Sequence, residues 1–233
     1  MVEQELRAPG SPDGFSGSSR QACELLLLAG MVEPAVETLR GQGPLGWSSA
    51  AHPGAVVVPY LLVAGSIAAV PPEDLLLSDV FDMINTASWN KGVPDKGAWL
   101  VADESDVVAP LATASADPTD RLLLSSLLGD RLAHVSPPAD DRARWLRIGR
   151  DLVTQRVDAI VTAKHRSAYQ RAVLLAAGCA EAIDLADGPG AGAAFVTEIR
   201  DRFPRHVAFR SEVDRLLKSS PLLPNPPRST RRR

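Results

Sequence analysis

Between Gly41 and Pro72 the chain carries no Asp, Glu, Lys or Arg. Inside that interval lies its most apolar run, AVVVPYLLVAGSIAAV, from Ala55 to Val70. The run is about 16 residues, short of the ~20 that a helix needs to cross a bilayer. Pro59, Gly65 and Ser66 interrupt it, and no Lys/Arg cluster flanks it. The reading is a buried core helix. A helix that is apolar around its whole circumference must be covered on every side, so the rest of the chain has to supply that cover.

The rest is suited to do so. The chain has 233 residues and is 45% hydrophobic, which excludes global disorder. Ala and Leu dominate and β-branched runs are few, which predicts a mostly α fold. The expected architecture is helical hairpins packed as an irregular, repeat-like (TPR-like) right-handed array, with little or no sheet. The expected layout is a disordered leader (1–19), an acidic N-terminal helical region (20–136), a basic C-terminal hairpin array (139–217) and a disordered Pro/Arg tail (218–233).

The clearest periodicity lies in the C-terminal third. In ADDRARWLRIGRDLVTQRVDAIVTAKHR, apolar residues fall at Trp145, Ile148, Leu152, Val153, Val157, Ile160 and Val161. Intervals of three, four and seven put them on one stripe of a helix. Arg142, Arg144, Arg147, Arg150 and Arg156 are expected mostly on wet faces. Asp140 and Asp141 suit the first turn, after Pro137 and Pro138. A second helix follows in SAYQRAVLLAAGCAEAIDLADG, where Ala172, Ala176, Ala177, Gly178 and Ala180 would let a neighbour approach closely. Gly188, Pro189 and Gly190 end it. AAFVTEIRDRF and HVAFRSEVDRLL give two shorter helices, with Phe195, Ile199 and Phe203, then Phe209, Val213, Leu216 and Leu217, as their apolar positions.

RVDAIVTAKHRSAYQRAVLLAAGCAEA followed by EIRDRFPRHVAFRSEVDRLL resembles the helical region beyond the zinc finger in some bacterial SWIM-type proteins. The resemblance covers roughly the last third of the chain and implies a helical accessory region. The finger itself needs three Cys and one His. Only Cys23 and Cys179 are present, so zinc and finger-mediated nucleic-acid binding do not carry over.

Earlier in the chain, RQACELLLLAG and EPAVETLR predict a helical hairpin, with Pro34 in the first turn of its second helix. PPEDLLLSDVFDMINTA predicts a helix whose first turn is charged by Glu73 and Asp74. DPTDRLLLSSLLGDRLAHV predicts another, with Asp117 as N-cap and Pro118 at its first position. Between them, WLVA is a short strand or an extended packing piece, and the loop GPLGWSSAAHPG is expected to pack Trp47.

The formal charge of −3 conceals a split. Residues 1–138 hold 7 basic and 17 acidic residues, a net of −10; residues 139–233 hold 18 and 11, a net of +7. Either the halves face each other or the basic half meets an acidic partner. Arg outnumbers Lys 21 to 4, which suggests a GC-rich, bacterial genome. Two distant Cys and no secretory signal make the cytoplasm the expected location.

No catalytic or metal-binding set stands out, and no cofactor is expected. His52, His134, His165 and His206 have no metal-ligand spacing. His52 before Pro53-Gly54 reads as a loop hydrogen bond, and His134 as a donor to the last carbonyls of a helix. Asp103-Glu104-Ser105-Asp106 lacks the glycine and closing Glu of a calcium loop. GPGAG, Gly188 to Gly192, reads as a helix–helix turn, since no strand precedes it. The candidate partner-binding residues are basic. Lys164, His165, Arg166, Tyr169 and Arg171 gather where the two long helices meet. Arg200, Arg202, Arg205, His206 and Arg210 are expected at the other end of the hairpin. The function expected is a non-enzymatic scaffold or protein-interaction protein with another protein as partner. The alternative is a nucleic-acid accessory that tracks phosphates with these residues and with Arg228 and Arg231 to Arg233. An unrecognised enzyme built on His52 or the Asp103–Asp106 loop is the third reading.

Overall fold

The computed structural model of this chain describes residues 19–42, 52–85 and 123–223. Among them are nine α-helices and no strand. In chain order these are α1 (Ser19–Leu28), α2 (Val32–Arg40), α3 (Gly54–Ser66), α4 (Leu76–Asp82, prolonged by a 3-10 turn to Asn85), α5 (Leu124–Val135), α6 (Ala139–Thr162), α7 (Tyr169–Asp187), α8 (Ala191–Asp201) and α9 (Val207–Leu216). The mostly α fold is as the composition requires. The leader up to Ser18, the loop holding Trp47, the segment with WLVA and Asp103–Asp106, the Asp117 start of α5, and the tail beyond Leu223 lie outside the described residues.

The uncharged run forms α3, and all 13 of its residues are buried. No helix among the described residues is long and apolar enough to cross a membrane. The cover of α3 comes from α6 above all, and from α1, α4 and α7. At Gly65 the α3 and α6 backbones meet. A Cβ there would stand 2.7 Å from Leu146 Cβ and 2.9 Å from the Arg142 carbonyl oxygen, so only glycine permits this approach.

Helix α7 is the second centre. Fourteen of its 19 residues are buried, and it packs against α3, α4, α6, α8 and α9. Its run of small residues works as expected: a Cβ on Gly178 would lie 2.7 Å from Val80 Cγ2 of α4. The largest interface, α3 with α6, joins helices far apart in sequence, so packing is not confined to adjacent hairpins. Apolar side chains of both halves share one core. The halves also meet where Arg144 Nη2 lies 2.6 Å from Glu33 Oε1 and Trp145 Nε1 donates to the same oxygen at 3.0 Å. Burial of apolar surface, with polar contacts of this kind at its edge, joins the acidic half to the basic half.

Distant residues cap several helix starts. The helix around Leu76 does not begin at Glu73. Glu73 and Asp74 sit in the preceding turn, and Leu75 is an N-cap without a side-chain bond. The acid at that N-terminus is Glu181 of α7, whose Oε2 accepts the Leu77 N–H at 2.8 Å. One turn later on α7, Asp184 Oδ1 accepts the Gly192 N–H at 2.6 Å and caps α8. Asn85 Oδ1 accepts the Ser125 N–H at 2.9 Å at the start of α5. Each bond satisfies one of the first four N–H groups that a helix leaves unpaired. Glu181 also anchors the segment that follows α9. Its Oε1 accepts from Ser220 Oγ at 2.6 Å, and Leu223 is buried. The tail expected to be disordered from Lys218 is therefore packed as far as Leu223.

Two further expectations are corrected. Arg156 lies within the core edge at 7% exposure, not on a wet face. Burial, with Arg171 nearby, pushes its guanidinium down to about 10. Leu146, absent from the predicted stripe, is buried, whereas Ile148 and Leu152 are only partly so.

Burial pushes the Glu181 carboxyl above its ordinary value of 4.5, against the hydrogen bonds from Ser220, Leu77 and Leu76. A raised native pKa means that the fold prefers the protonated acid. That contribution is full below the unfolded value and is lost as pH rises through the native one. Glu181→Gln retains an acceptor for Leu77 and a donor toward Ser220. In urea unfolding it should match or exceed wild-type stability at pH 7, with its advantage shrinking toward pH 4. Glu181→Leu should cost about 1–3 kcal/mol, because it strands buried N–H groups. The thiols make a second check. Cys23 and Cys179 are fully buried, and burial holds both above the ordinary thiol range, Cys23 at about 12. Ellman's reagent should label neither in the native protein and both in denaturant.

Candidate functional site

The basic residues are arranged by two helix ends. Helix α6 stops in a Schellman-type turn. The Lys164 N–H bonds to the Val161 carbonyl at 3.0 Å, and the His165 N–H to the Ile160 carbonyl at 3.1 Å. The left-handed residue of such a turn is commonly glycine, but here it is Lys164, with φ +56°. The chain therefore holds a cation in a conformation that costs a side-chain-bearing residue about 1 kcal/mol. Lys164, His165 and Arg166 are exposed.

Tyr169 starts α7 and is buried at 4% exposure, so it is a packing residue and not a free binding ring. Its ring meets Phe209 edge-on, 5.7 Å between centroids. Phe203 meets Phe209 at 5.5 Å, and His206 meets Phe203 at 5.6 Å, both edge-on. These contacts bring the α8–α9 turn against the α6–α7 connection. The two groups of basic residues thus lie at one end of the molecule, which corrects the expectation that they occupy opposite ends. The sequence hid this because helix lengths alone do not reveal that α8, packed on α7, reaches α6 through its side chains. The pair Arg202 Nη1–Asp158 Oδ2, 2.8 Å, makes that contact.

The nine expected residues have different local partners. Arg202 is engaged by Asp158 and Glu198. Arg210 Nη1 reaches the Pro204 carbonyl at 3.4 Å. Arg171 is half-buried, and burial lowers its pKa. The ring of His206 is partly buried, with Nδ1 enclosed and without a hydrogen bond. Lys164, His165, Arg166 and Arg205 are the exposed members whose side chains make no ion pair or hydrogen bond among the described residues. Arg200, named beside them, is tied to Asp214 at 3.0 Å. One residue was missed. Val207, the first residue of α9, is 76% exposed and follows His206 directly. It stands off the stripe of Phe209 and Val213, so periodicity marked it as a surface position and not as a contact.

The other candidates within the described residues make local contacts. His52 is buried and its Nδ1 accepts the Gly54 N–H at 3.0 Å at the start of α3. His134 Nδ1 lies 2.6 Å from the Asp130 carbonyl oxygen, near the end of α5. Gly188 and Gly190, both at positive φ, make the turn between α7 and α8. No three His, Cys, Asp or Glu side chains stand together as a metal site among the described residues. Comparison with known proteins adds no relative: no family model, no curated protein and no solved structure matches the chain.

The left-handed Lys164 yields a direct test. Lys164→Gly should raise unfolding stability by about 0.5–1 kcal/mol, since glycine takes this conformation without strain. A urea midpoint that falls would show that the Lys164 side chain stabilises the fold and is not held for a partner.

Proposed function

We propose that this protein is a helical scaffold of the bacterial cytoplasm that docks an acidic segment of another protein on its basic end. The observation that carries this reading is the pattern at that end. Four exposed basic side chains, those of Lys164, His165, Arg166 and Arg205, have no partner among the described residues, and Val207, two residues after Arg205, is 76% exposed. An exposed apolar residue accompanied by unpaired cations suits an acidic, partly apolar peptide, which gains area from one and register from the others. The strained Lys164 supports the same reading, because strain persists where function selects it. The resemblance to a SWIM-associated helical region fits a chain that lends such a region to a separate partner.

A nucleic-acid reading uses the same cations. It is less well supported because the aromatic rings at this end are buried, at 4% for Tyr169, 7% for Phe203 and 0% for Phe209. They offer no open face for base stacking.

The test is affinity purification of the tagged protein from its own cells, with and without nuclease. It is repeated with the triple variant Lys164→Glu, Arg166→Glu, Arg205→Glu. The expected result is a stoichiometric protein partner that survives nuclease and is lost, about tenfold or more, in the variant. Partners lost on nuclease treatment would move the function to nucleic acid. Partners retained by the triple variant would remove the basic end from the function altogether.

A further inference from the structure

A second site lies far from the basic end. A cleft of about 320 Å³ opens between the first turns of α6 and the last turn of α7, with Gly65 of α3 at its margin. Its apolar surface comes from Ala143, Leu146, Ile183 and Ala186, and its charged wall from Arg142, Arg147 and Arg150, with Asp187 as its one acid. From Arg147 to Lys164 along α6 is about 25 Å at 1.5 Å per residue, so the two sites are separate.

The three arginines are not equivalent. Arg142 Nη2 donates to the Ser66 carbonyl at 2.6 Å, so this side chain closes the C-terminal end of α3. Arg150 lies 5.3 Å from the Phe195 ring centroid and reaches Glu198 at 3.2 Å, a long contact between half-exposed groups. Arg147 is exposed and has no hydrogen bond or ion pair among the described residues. Arg147 and Arg150 are three residues apart on α6, and both line the cleft with Leu146 and Ile183. Two planar guanidinium forks so placed match the oxygens of one carboxylate or phosphate. The volume is at the lower end for a small-molecule site.

We infer that this cleft binds a small organic anion. Its carboxylate or phosphate is held by Arg147 and Arg150, and a short apolar body lies on Leu146 and Ile183. The inference does not depend on the basic end.

Isothermal titration of the full chain at low salt tests it, with hexanoate, phenyl phosphate and inorganic phosphate as probes. At least one organic probe should bind at one site. Arg147→Ala/Arg150→Ala should weaken it about tenfold or more, the scale of a lost charge-assisted pair. Arg147→Lys/Arg150→Lys keeps the charge without the fork and should weaken it less. Thermal unfolding confirms that each variant is folded, and the lysine pair decides the matter if the alanine pair is not. The preference between hexanoate and phenyl phosphate separates a carboxylate ligand from a phosphate one. The inference is overturned if no organic probe binds, if neither double variant changes affinity, or if inorganic phosphate binds as tightly as the organic probes.

Discussion

Two buried carboxylates on one helix hold this fold in register. Glu181 and Asp184 lie one turn apart on α7, and each accepts the N-terminal amide of a different helix, α4 on one side and α8 on the other. Glu181 uses both of its buried oxygens, whereas Asp184 uses Oδ1 and its buried Oδ2 has no partner among the described residues. These sites are therefore specific as well as cohesive: α4 and α8 can dock only where their free N–H groups meet an oxygen. The bond from Ser220 to Glu181 extends the same control to the segment that follows α9. Through α7, one buried polar row decides where three separate segments settle.

Around that row the cohesion is apolar. Helix α3 contributes no charge and loses all its surface to its neighbours. Gly65 and Gly178 let backbones approach where a methyl group would collide. The acidic and basic halves share one core. Among the described residues Glu33 and Arg144 pair across the halves, while Lys164, His165, Arg166 and Arg205 at the α6–α7 connection and the α8–α9 turn keep no ion pair. The same helix pair places arginines at both ends. One end has a solid aromatic base under exposed cations, which suits a macromolecular surface. The other end has a cleft, which suits a small ligand.

Much of this was legible from residues alone. Periodicity placed α6 to α9 closely, because apolar intervals, the Pro137–Pro138 start and the Gly188–Gly190 stop are local signals. The run Ala55–Val70 could be read as core because its length and interruptions argue against a bilayer. The start of α4 could not be placed. Glu73 and Asp74 mimic a capped first turn, and the real cap comes from a residue about a hundred positions away. Arg156 was misjudged for a similar reason: an arginine on a stripe edge is buried or wet according to what packs over it.

The sequence by itself determined the helical class, the buried helix α3, the helix ends set by proline and glycine, and the supply of cations in the last third. All of these follow from local propensity and periodicity, which act within a few residues. The tertiary structure decided which helix starts are capped and by whom. It also brought the two basic groups to one end, left Val207 outward, and opened the cleft beside Arg147. Each of these depends on contacts between helices distant in the chain, and no local pattern encodes them.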